Sequence, residues 1–519
     1  MGAACNPYLP LYEYVPDGEP RVFGNRLYVY GSHDLAGGDF FCLGDYVVWS
    51  APIDDLGSWR CDGISYRRNQ DPHNVDGRWE LFAPDVVQGA DGRYYLYYCL
   101  RMQQEFGVAV SESPEGPFAF YGHIRRADGT LFTEGMPYDP AVLTDEDGKV
   151  YLYYGYNSEE IARKFDATIS GGCSVITLAE DMLTVTEGPV RCLPRDRDTA
   201  GTGFEKHGYY EAPSIRKIGS LYYLVYSSEA CHELCYAVST RPTEGFRYGG
   251  VIVSNADLGL NGRTDPVCLP GNNHGGLVHV NGQFYIFYQR HTHCTQYSRQ
   301  GCAEPVRLLE DGSIPQVEIT TGGMSGGPLP AAGTLSAAYA CHLTCRDPRP
   351  MLDYRAADPD ELPAVWEETL PANADSPADC PAEALSAEAA PVCRAEDLPD
   401  CPAEAMSAEA APDCRTETVQ FIRNITDGTT IGFKYLKAEN ITKITLVLRG
   451  TGRGTFAVVL DTPENPETLG TCRVSLGEDG RRQDAWTDCP AEISWSGVHA
   501  LYLRYQGTGS LDLKEITFA

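Results

Sequence analysis

Short runs of alternating aromatic and aliphatic residues recur along the N-terminal part of the chain. Five of them follow a glycine turn and are predicted to be β-strands, because tyrosine and β-branched residues suit a pleated surface. The strands are predicted at Arg26–Gly31, Arg93–Cys99, Lys149–Gly155, Leu221–Ser227 and Gln283–Gln289. Amphipathic helical runs are scarce before residue 320. The pattern therefore predicts a five-bladed β-propeller over residues 1–320, with four-stranded blades.

Strand patterns return near the C-terminus, after segments of different composition. Residues 321–350 are rich in glycine and proline and are predicted to form a connection. Residues 351–519 are predicted to form a β-sandwich, jelly-roll-like in arrangement. An acidic, Ala/Pro-rich tandem repeat at 367–415 interrupts it and cannot bury a core of its own. The predicted fold class is all-β, a propeller followed by a sandwich.

Charge and cysteine content narrow the classes of partner and compartment. The formal net charge of −31 argues against nucleic acid or an anionic membrane surface as a partner, because either would need a basic face. The N-terminus shows no secretory signal, and 19 cysteines are spread along the chain, which favours reduced thiols and a cytoplasmic location. Cys231 and Cys235 enclose a histidine at a loosely metal-like spacing, but buried free thiols are the favoured interpretation.

One potentially chemical side chain stands 7–9 residues before each of the five turn glycines. In a propeller the innermost strand of each blade lines the central channel, so groups that recur at one offset converge there. Carboxylates that share a pocket repel each other, and their pKa values separate into an ionised base and a protonated acid. Inverting hydrolysis of a glycosidic bond needs such a pair. The alternative is a set of structural turn residues. The five side chains are Asp17, Asp85, Asp139, Glu211 and His274.

The stretches around these residues resemble glycoside hydrolase family 43, over about residues 5–320. The family consists of five-bladed propellers that are inverting enzymes. The resemblance implies that Asp17 is the general base, that Glu211 is the general acid, and that Asp139 orients the acid and modulates its pKa. One departure is Pro-Asp-Gly around Asp17, where the family often has Ala-Asp-Pro. The matching stretches are Asn6–Pro10, Pro16–Pro20, Tyr30–Asp34, Phe82–Asp85, Tyr138–Val142, Glu211–Ile215 and His274–Gly276.

The same resemblance implies further site residues. Phe82 is expected to stack on a sugar, at a position where the family commonly has tryptophan. Arg290 is expected to reach the carboxylates and the sugar, with a surface salt bridge as the alternative. His274 is expected either to hold a calcium ion, directly or through water, or to be a hydrogen-bonded core imidazole. Asp85 is expected to be mainly structural. Weaker candidates for lining the sugar pocket are His33, Asp34, Trp49 and Tyr154.

The favoured functional interpretation is an exo-acting, inverting glycosidase that removes terminal pentose from plant-type oligosaccharides. An α-L-arabinofuranosidase is preferred, and β-xylosidase and β-D-galactofuranosidase remain alternatives. A non-catalytic carbohydrate-binding propeller is the alternative from a different class. The segment Gly497–Phe518 resembles family 6 carbohydrate-binding modules. That module is expected to bind sugar or to pack on the propeller and shape the pocket, and packing is favoured. No organic cofactor is expected, and the oligomeric state stays open.

Overall fold

The computed structural model describes residues 4–164, 171–293, 295–355, 358, 361–370, 417–477 and 481–519. The tandem repeat predicted within 367–415 lies almost wholly outside them. No helix within these ranges is long and apolar enough to cross a membrane. The one α-helix among them, α1, spans Glu159–Lys164. Short 3-10 helices span Arg68–Gln70, Asp196–Asp198, Leu260–Gly262, Ala337–Tyr339 and Arg349–Leu352.

Five antiparallel sheets follow one another along the propeller, each built from consecutive strands. The first contains β1 (Glu19–Phe23), β2 (Arg26–Tyr30), β3 (Tyr46–Pro52) and β4 (Arg60–Tyr66). The second contains β5 (Asp85–Gln88), β6 (Tyr94–Cys99), β7 (Phe106–Ser111) and β8 (Ala119–His123). The third contains β9 (Ala141–Thr144), β10 (Val150–Tyr154), β11 (Gly172–Leu178) and β12 (Val185–Pro194). The fourth contains β13 (Tyr209–Ile218), β14 (Leu221–Ser228), β15 (Glu233–Ser239) and β16 (Arg247–Ser254). The fifth contains β17 (Leu277–Val280), β18 (Gln283–His291) and β19 (Arg299–Val306).

The tyrosine-rich strands are the second strand of each sheet, and both of their faces are buried. In β10, Leu152 and Tyr154 pack toward the second sheet, whereas Tyr151 and Tyr153 pack toward the fourth. Successive side chains of a strand point to opposite faces, so a sheet held between two others needs apolar residues at every position. The turn before β10 is made by Gly148, whose φ of 81° is a left-handed conformation that favours glycine.

Five hydrophobic clusters join the sheets pairwise into a closed ring, which confirms the predicted five-bladed propeller. The cluster between the last and first sheets contains Phe287 and Val29. Asn6 strengthens this closure, because its side-chain amide donates to the Ala303 carbonyl (3.0 Å) and accepts from the Ala303 N–H (2.9 Å). The side chain of Asn6 thus takes the hydrogen-bonding place of a neighbouring strand.

The fifth sheet differs from the expected four strands, since it has three. The N-terminal segment lies along its third strand instead. The Tyr8 N–H donates to the Gly301 carbonyl at 3.1 Å, and Asn6 contacts Ala303 as described above. These bonds give hydrogen-bond partners to backbone groups on the outer edge of β19, so a fourth strand is not required there.

The C-terminal part is a curled β-sheet with one apolar core. Residues 321–350, expected as a connection, contribute three short strands to this sheet, because their backbone groups pair with its long strands. The two longest strands, Thr430–Leu460 and Gln483–Phe518, bend, so that Ile444 lies opposite both Phe518 and Ala491. The strands are β20 (Leu329–Pro330), β21 (Gly333–Ser336), β22 (His342–Thr344), β23 (Ala364–Leu370), β24 (Glu417–Ile425), β25 (Thr430–Leu460), β26 (Gly470–Leu476) and β27 (Gln483–Phe518).

A buried ion pair connects this sheet to the propeller. Lys434 of β25 donates to Asp257, which follows β16, at 3.0 Å and to Glu318 at 2.9 Å. The side chains of Lys434 and Asp257 are 2% and 1% exposed. Removing one partner of such a pair leaves an uncompensated buried charge, which is more costly than losing the pair as a whole.

We expect Lys434→Met to lower the free energy of unfolding by about 3–5 kcal/mol, because Asp257 then stays buried without its cation. Guanidinium denaturation at neutral pH measures this change. The double variant Lys434→Met/Asp257→Asn should recover part of the loss. Lys437→Met is the matched control, since Lys437 is 58% exposed, and it should change little. Equal losses in the single and double variants would contradict the buried-charge explanation.

Candidate active site

Three carboxylates from three different sheets line one cavity of about 270 Å³. Asp17 lies just before β1, Asp139 lies just before β9, and Glu211 lies near the start of β13. Asp17 and Asp139 have φ values of 57° and 49°, a left-handed conformation that few non-glycine residues adopt. Ala212, next to Glu211, has a φ of 63°. Backbone strain of this kind concentrates at functional sites, where the surrounding structure holds it in place.

The rest of the cavity wall combines aromatic rings with a few polar groups. This composition suits a sugar, whose ring faces stack on aromatic side chains while its hydroxyls need hydrogen-bond partners. Tyr138 and Tyr156 stack on each other with ring centroids 4.7 Å apart, and Tyr138 meets Phe82 edge-on at 5.5 Å. Other residues of the wall are Phe41, Tyr210, Tyr354, Asn272, Gln296, Arg299 and Arg355.

Asp17 is held as a carboxylate by its neighbours. Arg299 Nη1 donates to Asp17 Oδ1 at 2.8 Å, and the Asp17 N–H donates to Gln289 Oε1 at 2.6 Å. Burial of Asp17 raises its pKa, but the Arg299 guanidinium, His274 and the polar side chains of Ser32 and Gln289 together lower it by more, so that the pKa of Asp17 lies below its ordinary value. Asp17 is therefore ionised at neutral pH.

Arg299 is itself fixed from behind by a second carboxylate. Its Nε and Nη2 donate to the two oxygens of Asp34, each at 2.9 Å, which is the bidentate geometry of a strong arginine–carboxylate pair. The guanidinium also lies over the Phe41 ring, 4.8 Å from its centroid. These contacts leave Nη1 directed at Asp17 and at Asn272 Oδ1, 3.1 Å away.

The other two carboxyl groups bind a proton more readily than ordinary carboxyl groups do. Burial, followed by repulsion from Asp17, raises the pKa of Glu211 to about 7. Burial and repulsion from Glu211 raise the pKa of Asp139 well above its ordinary value. The Ala212 N–H donates to Asp139 Oδ2 at 3.1 Å and ties this carboxyl to the strand that carries Glu211. One ionised carboxylate and two carboxyl groups with raised pKa values thus face the same cavity.

His274 lies between two of the carboxyl groups. Its Nδ1 is 3.6 Å from Asp17 Oδ1 and 4.0 Å from Asp139 Oδ2. Burial lowers the pKa of His274, which favours the neutral imidazole. Calcium takes a shell of six to eight oxygen ligands, which one imidazole nitrogen does not supply. The residues here would therefore fit a calcium ion only with water between the ion and His274.

Arg290 does not reach the site, and Arg299 occupies the place expected for it. The Arg290 side chain is buried and donates to the Ala340 carbonyl at 3.1 Å and to Cys302 Sγ at 3.2 Å. The reason is the alternation of side chains along β18. The Gln289 side chain points toward Asp17 and accepts its N–H, so the neighbouring side chain of Arg290 points to the opposite side.

The four weaker candidates also lie outside the cavity wall. Trp49 packs between the first and fifth sheets, and Tyr154 between the second and third, because both belong to strands buried on two faces. His33 bonds Glu13 Oε1 at 2.9 Å. Asp34 acts through Arg299. Asp85, expected to be structural, accepts from Arg21 Nε at 2.9 Å and from the Val142 N–H at 2.7 Å. Phe82 and His274 lie in the wall as expected.

Two residues of the wall come from outside the propeller. Tyr354 and Arg355 follow the 3-10 helix at Arg349–Leu352 and reach the same cavity as Glu211. The Tyr354 ring packs so closely on Gly271 that a Cβ there would lie 2.3 Å from it, and its centroid is 5.4 Å from that of His291. No periodic pattern surrounds these residues, so they could not be identified from the sequence.

Comparison with known proteins shows the family to which the chain belongs. A profile of glycosyl hydrolases family 43 matches residues 22–314, more than half of the chain. A xylosidase/arabinosidase of Thermoclostridium stercorarium is 43% identical over 99% of this chain and 98% of the relative. The chain belongs to glycoside hydrolase family 43. The predicted family and the predicted hydrolase class are thereby confirmed.

Two further proteins are similar to part of the chain. A xylosidase/arabinosidase of Bacteroides ovatus is 30% identical, and the match covers 54% of this chain and 87% of the relative. A solved structure of a β-xylosidase/α-arabinofuranosidase from a compost microbial metagenome, in complex with xylotriose, is 27% identical. It covers 61% of this chain and 98% of its own, with a TM-score of 0.49. The first match, with the relative from Thermoclostridium, also spans the C-terminal sheet of this family 43 enzyme.

We expect loss of the Arg299 charge to move the pH profile of this glycoside hydrolase to higher pH. The guanidinium lowers the pKa of both Asp17 and Glu211, so removing it raises both values. If activity needs Asp17 ionised and Glu211 protonated, the acidic and the alkaline limbs of kcat/KM shift upward together. The comparison uses Arg299→Gln/Asp34→Asn against Asp34→Asn, which avoids an unpaired buried carboxylate.

The matched control for this prediction is Arg290→Gln. Arg290 is buried but lies away from the carboxylates, so its loss should lower stability without moving either limb. Circular dichroism establishes that each variant is folded before rates are compared. An unchanged pH profile in the Arg299 variant would show that this cation does not set the protonation of the site.

Proposed function

We propose that this chain is an exo-acting, inverting glycosidase that releases a terminal pentose, with α-L-arabinofuranose as the favoured sugar. The observation that carries the proposal is the convergence of Asp17, Asp139 and Glu211 on one cavity, where the surroundings lower the pKa of Asp17 and raise that of Glu211. A β-xylosidase is the second candidate, because the names of both relatives combine the two activities. β-D-Galactofuranose is the third sugar that the test includes.

The mechanism follows from the state of each carboxyl group. Ionised Asp17 takes a proton from a water molecule, whose oxygen attacks the anomeric carbon. Protonated Glu211 gives its proton to the glycosidic oxygen as the bond to the leaving group breaks. Water and leaving group lie on opposite faces of the sugar, so the configuration of the anomeric carbon inverts. Asp139 accepts a hydrogen bond from the Ala212 N–H, which ties it to the strand of Glu211, so that it can orient the acid. Burial and Asp17 raise the proton affinity of Glu211.

The small volume of the cavity supports the release of a single terminal sugar. Its volume of about 270 Å³ lies just below the range of about 300–1,000 Å³ common for small-molecule sites. A terminal sugar fits such a space, whereas a bound length of polymer needs an open groove. Tyr354 and Arg355 form part of the cavity wall. Their contribution supports the expectation that the part outside the propeller shapes the pocket.

The proposal includes a calcium ion that would be bound near His274 through a water molecule. It would supply positive charge beside Asp17 and Asp139. No step of the proton transfer described above passes through it, because Arg299 already provides a fixed cation at Asp17.

We expect Glu211→Gln to affect substrates according to their leaving groups. The rate on an oligosaccharide should fall by about 10²–10⁴-fold, because the sugar leaving group needs a proton. A dinitrophenyl glycoside should lose far less, since its leaving group departs as a stable anion. Asp17→Asn is the control and should slow both substrates alike, because the attacking water is the same. Equal losses on both substrates in Glu211→Gln would remove Glu211 from the role of acid.

The choice of sugar is tested with nitrophenyl glycosides of α-L-arabinofuranose, β-D-xylopyranose and β-D-galactofuranose. We expect the highest kcat/KM on the arabinofuranoside. Proton NMR of the first product then gives the stereochemistry, and an α-linked substrate should release the β-anomer. Release of the α-anomer would contradict inversion. A higher kcat/KM on the xyloside would assign the enzyme to the second candidate.

A further inference from the structure

A group of three potential metal ligands lies in the fourth sheet, apart from the residues that line the active-site cavity. It consists of His207, Glu233 and Cys235. Glu233 and Cys235 are two residues apart on β15 and therefore share one face of the strand. His207 comes from the loop that leads into β13, the strand that carries Glu211. The spacing Cys231–Cys235 points in sequence to His232, but His232 instead bonds Ser254 Oγ at 3.1 Å.

The three ligand atoms form a small triangle. His207 Nδ1 is 2.7 Å from Glu233 Oε1, Cys235 Sγ is 3.4 Å from the same oxygen, and Sγ is 3.9 Å from Nδ1. A tetrahedral zinc ion with bonds of about 2.0–2.3 Å holds its ligand atoms roughly 3.3–3.7 Å apart. The observed separations bracket this range, so small side-chain rotations bring all three atoms to one ion.

The surroundings of the triangle resemble those of a supported metal site. The Tyr248 ring stacks on His207 with centroids 4.9 Å apart and planes 12° from parallel, which fixes the orientation of the imidazole. Ser228 Oγ donates to Glu233 Oε1 at 2.6 Å and would remain as an outer partner of that carboxylate. Glu233 and Cys235 are buried, whereas the His207 side chain is 30% exposed. The exposed side offers a path of entry and a place for a water molecule as fourth ligand.

We propose that His207, Glu233 and Cys235 form a structural binding site for a zinc ion. One thiolate, one imidazole and one carboxylate suit zinc, whereas calcium and magnesium prefer oxygen ligands alone. On binding, the Cys235 thiol releases its proton to solvent, and His207 binds as the neutral imidazole with its hydrogen on Nε2. The hydrogen between His207 Nδ1 and Glu233 Oε1 is displaced by the ion: it moves to Nε2 when His207 is neutral and is released to solvent when His207 is the imidazolium. No electron transfer is involved.

The ion would anchor the loop before β13 to the body of the fourth sheet. At present this loop is held by the hydrogen bond from Tyr226 Oη to the His207 carbonyl, at 2.7 Å, and by the His207–Glu233 contact. Tyr209 and Tyr210, which lie between His207 and Glu211, begin the strand at the active site. Zinc would thus stabilise the approach to Glu211 without contacting the substrate, so the site goes beyond the proposed glycosidase function.

Cobalt(II) in place of zinc provides a direct test, because a thiolate bound to cobalt gives an intense near-ultraviolet charge-transfer band. Purified full-length protein is freed of metal with a chelator and titrated with cobalt(II) alone. We expect one equivalent to bind with this band, and excess zinc to abolish it. Cys235→Ser should lose the band, and His207→Gln should bind at least tenfold more weakly. Cys61→Ser is the matched control and should behave as the unchanged protein, since Cys61 is an exposed thiol elsewhere.

A second group, Asp71, His73 and His123, contains no thiol and provides the contrasting outcome. Cobalt binding without a charge-transfer band, lost in His73→Gln and kept in Cys235→Ser, would assign the metal to that group and overturn the proposal. Absence of stoichiometric binding would also overturn it. The thermal midpoint with excess zinc gives an independent readout. It should rise by several degrees in the unchanged protein and not in His207→Gln. The His207 side chain is partly exposed, so this substitution leaves the core intact.

Discussion

The ion pair between Arg299 and Asp17 determines the protonation of the whole active site. Three buried carboxyl groups in one cavity are not equally ionised, because the charge of Asp17 raises the pKa values of Glu211 and Asp139, and Glu211 raises that of Asp139 further. A single cation placed against one of them decides which keeps the charge. Arg299 contacts Asp17 at 2.8 Å, so Asp17 keeps its charge, whereas burial and repulsion from Asp17 raise the pKa of Glu211 to about 7. The assignment of base and acid is therefore a consequence of where one guanidinium lies.

The position of that guanidinium depends in turn on the closure of the propeller. Arg299 and Asp17 are 282 residues apart in sequence and meet only because the fifth sheet packs on the first. The two hydrogen bonds between the Asn6 side chain and the Ala303 backbone hold the same junction. Asp34, on the first sheet's side, orients Arg299 through two bonds. A change at this junction would alter the geometry of the carboxylates without touching any of them.

The sequence predicted those features that follow a short period. Tyrosine-rich strands buried on both faces, each preceded by one polar group, are visible from alternation alone, and they located the cavity carboxylates. The sequence did not predict which side chains face the site where a shift of one residue along a strand reverses their direction. Arg290 and Gln289 are neighbours on β18, and only the observed pairing shows that Gln289 points toward Asp17. The three-stranded fifth sheet was missed because hydrogen bonds from Asn6 and Tyr8 carry no strand pattern.

The residues of the site divide by origin in a way that separates chemistry from recognition. Every group assigned to proton transfer lies on the propeller, where five packed interfaces hold it rigidly. Tyr354 and Arg355 come from the segment after the 3-10 helix at Arg349–Leu352 and meet the cavity from one side. Packing of Tyr354 on Gly271 ties that segment to the blade, so its contribution is positioned rather than free. Under the proposed mechanism, the segment shapes what binds while the propeller axis fixes how the bond is broken.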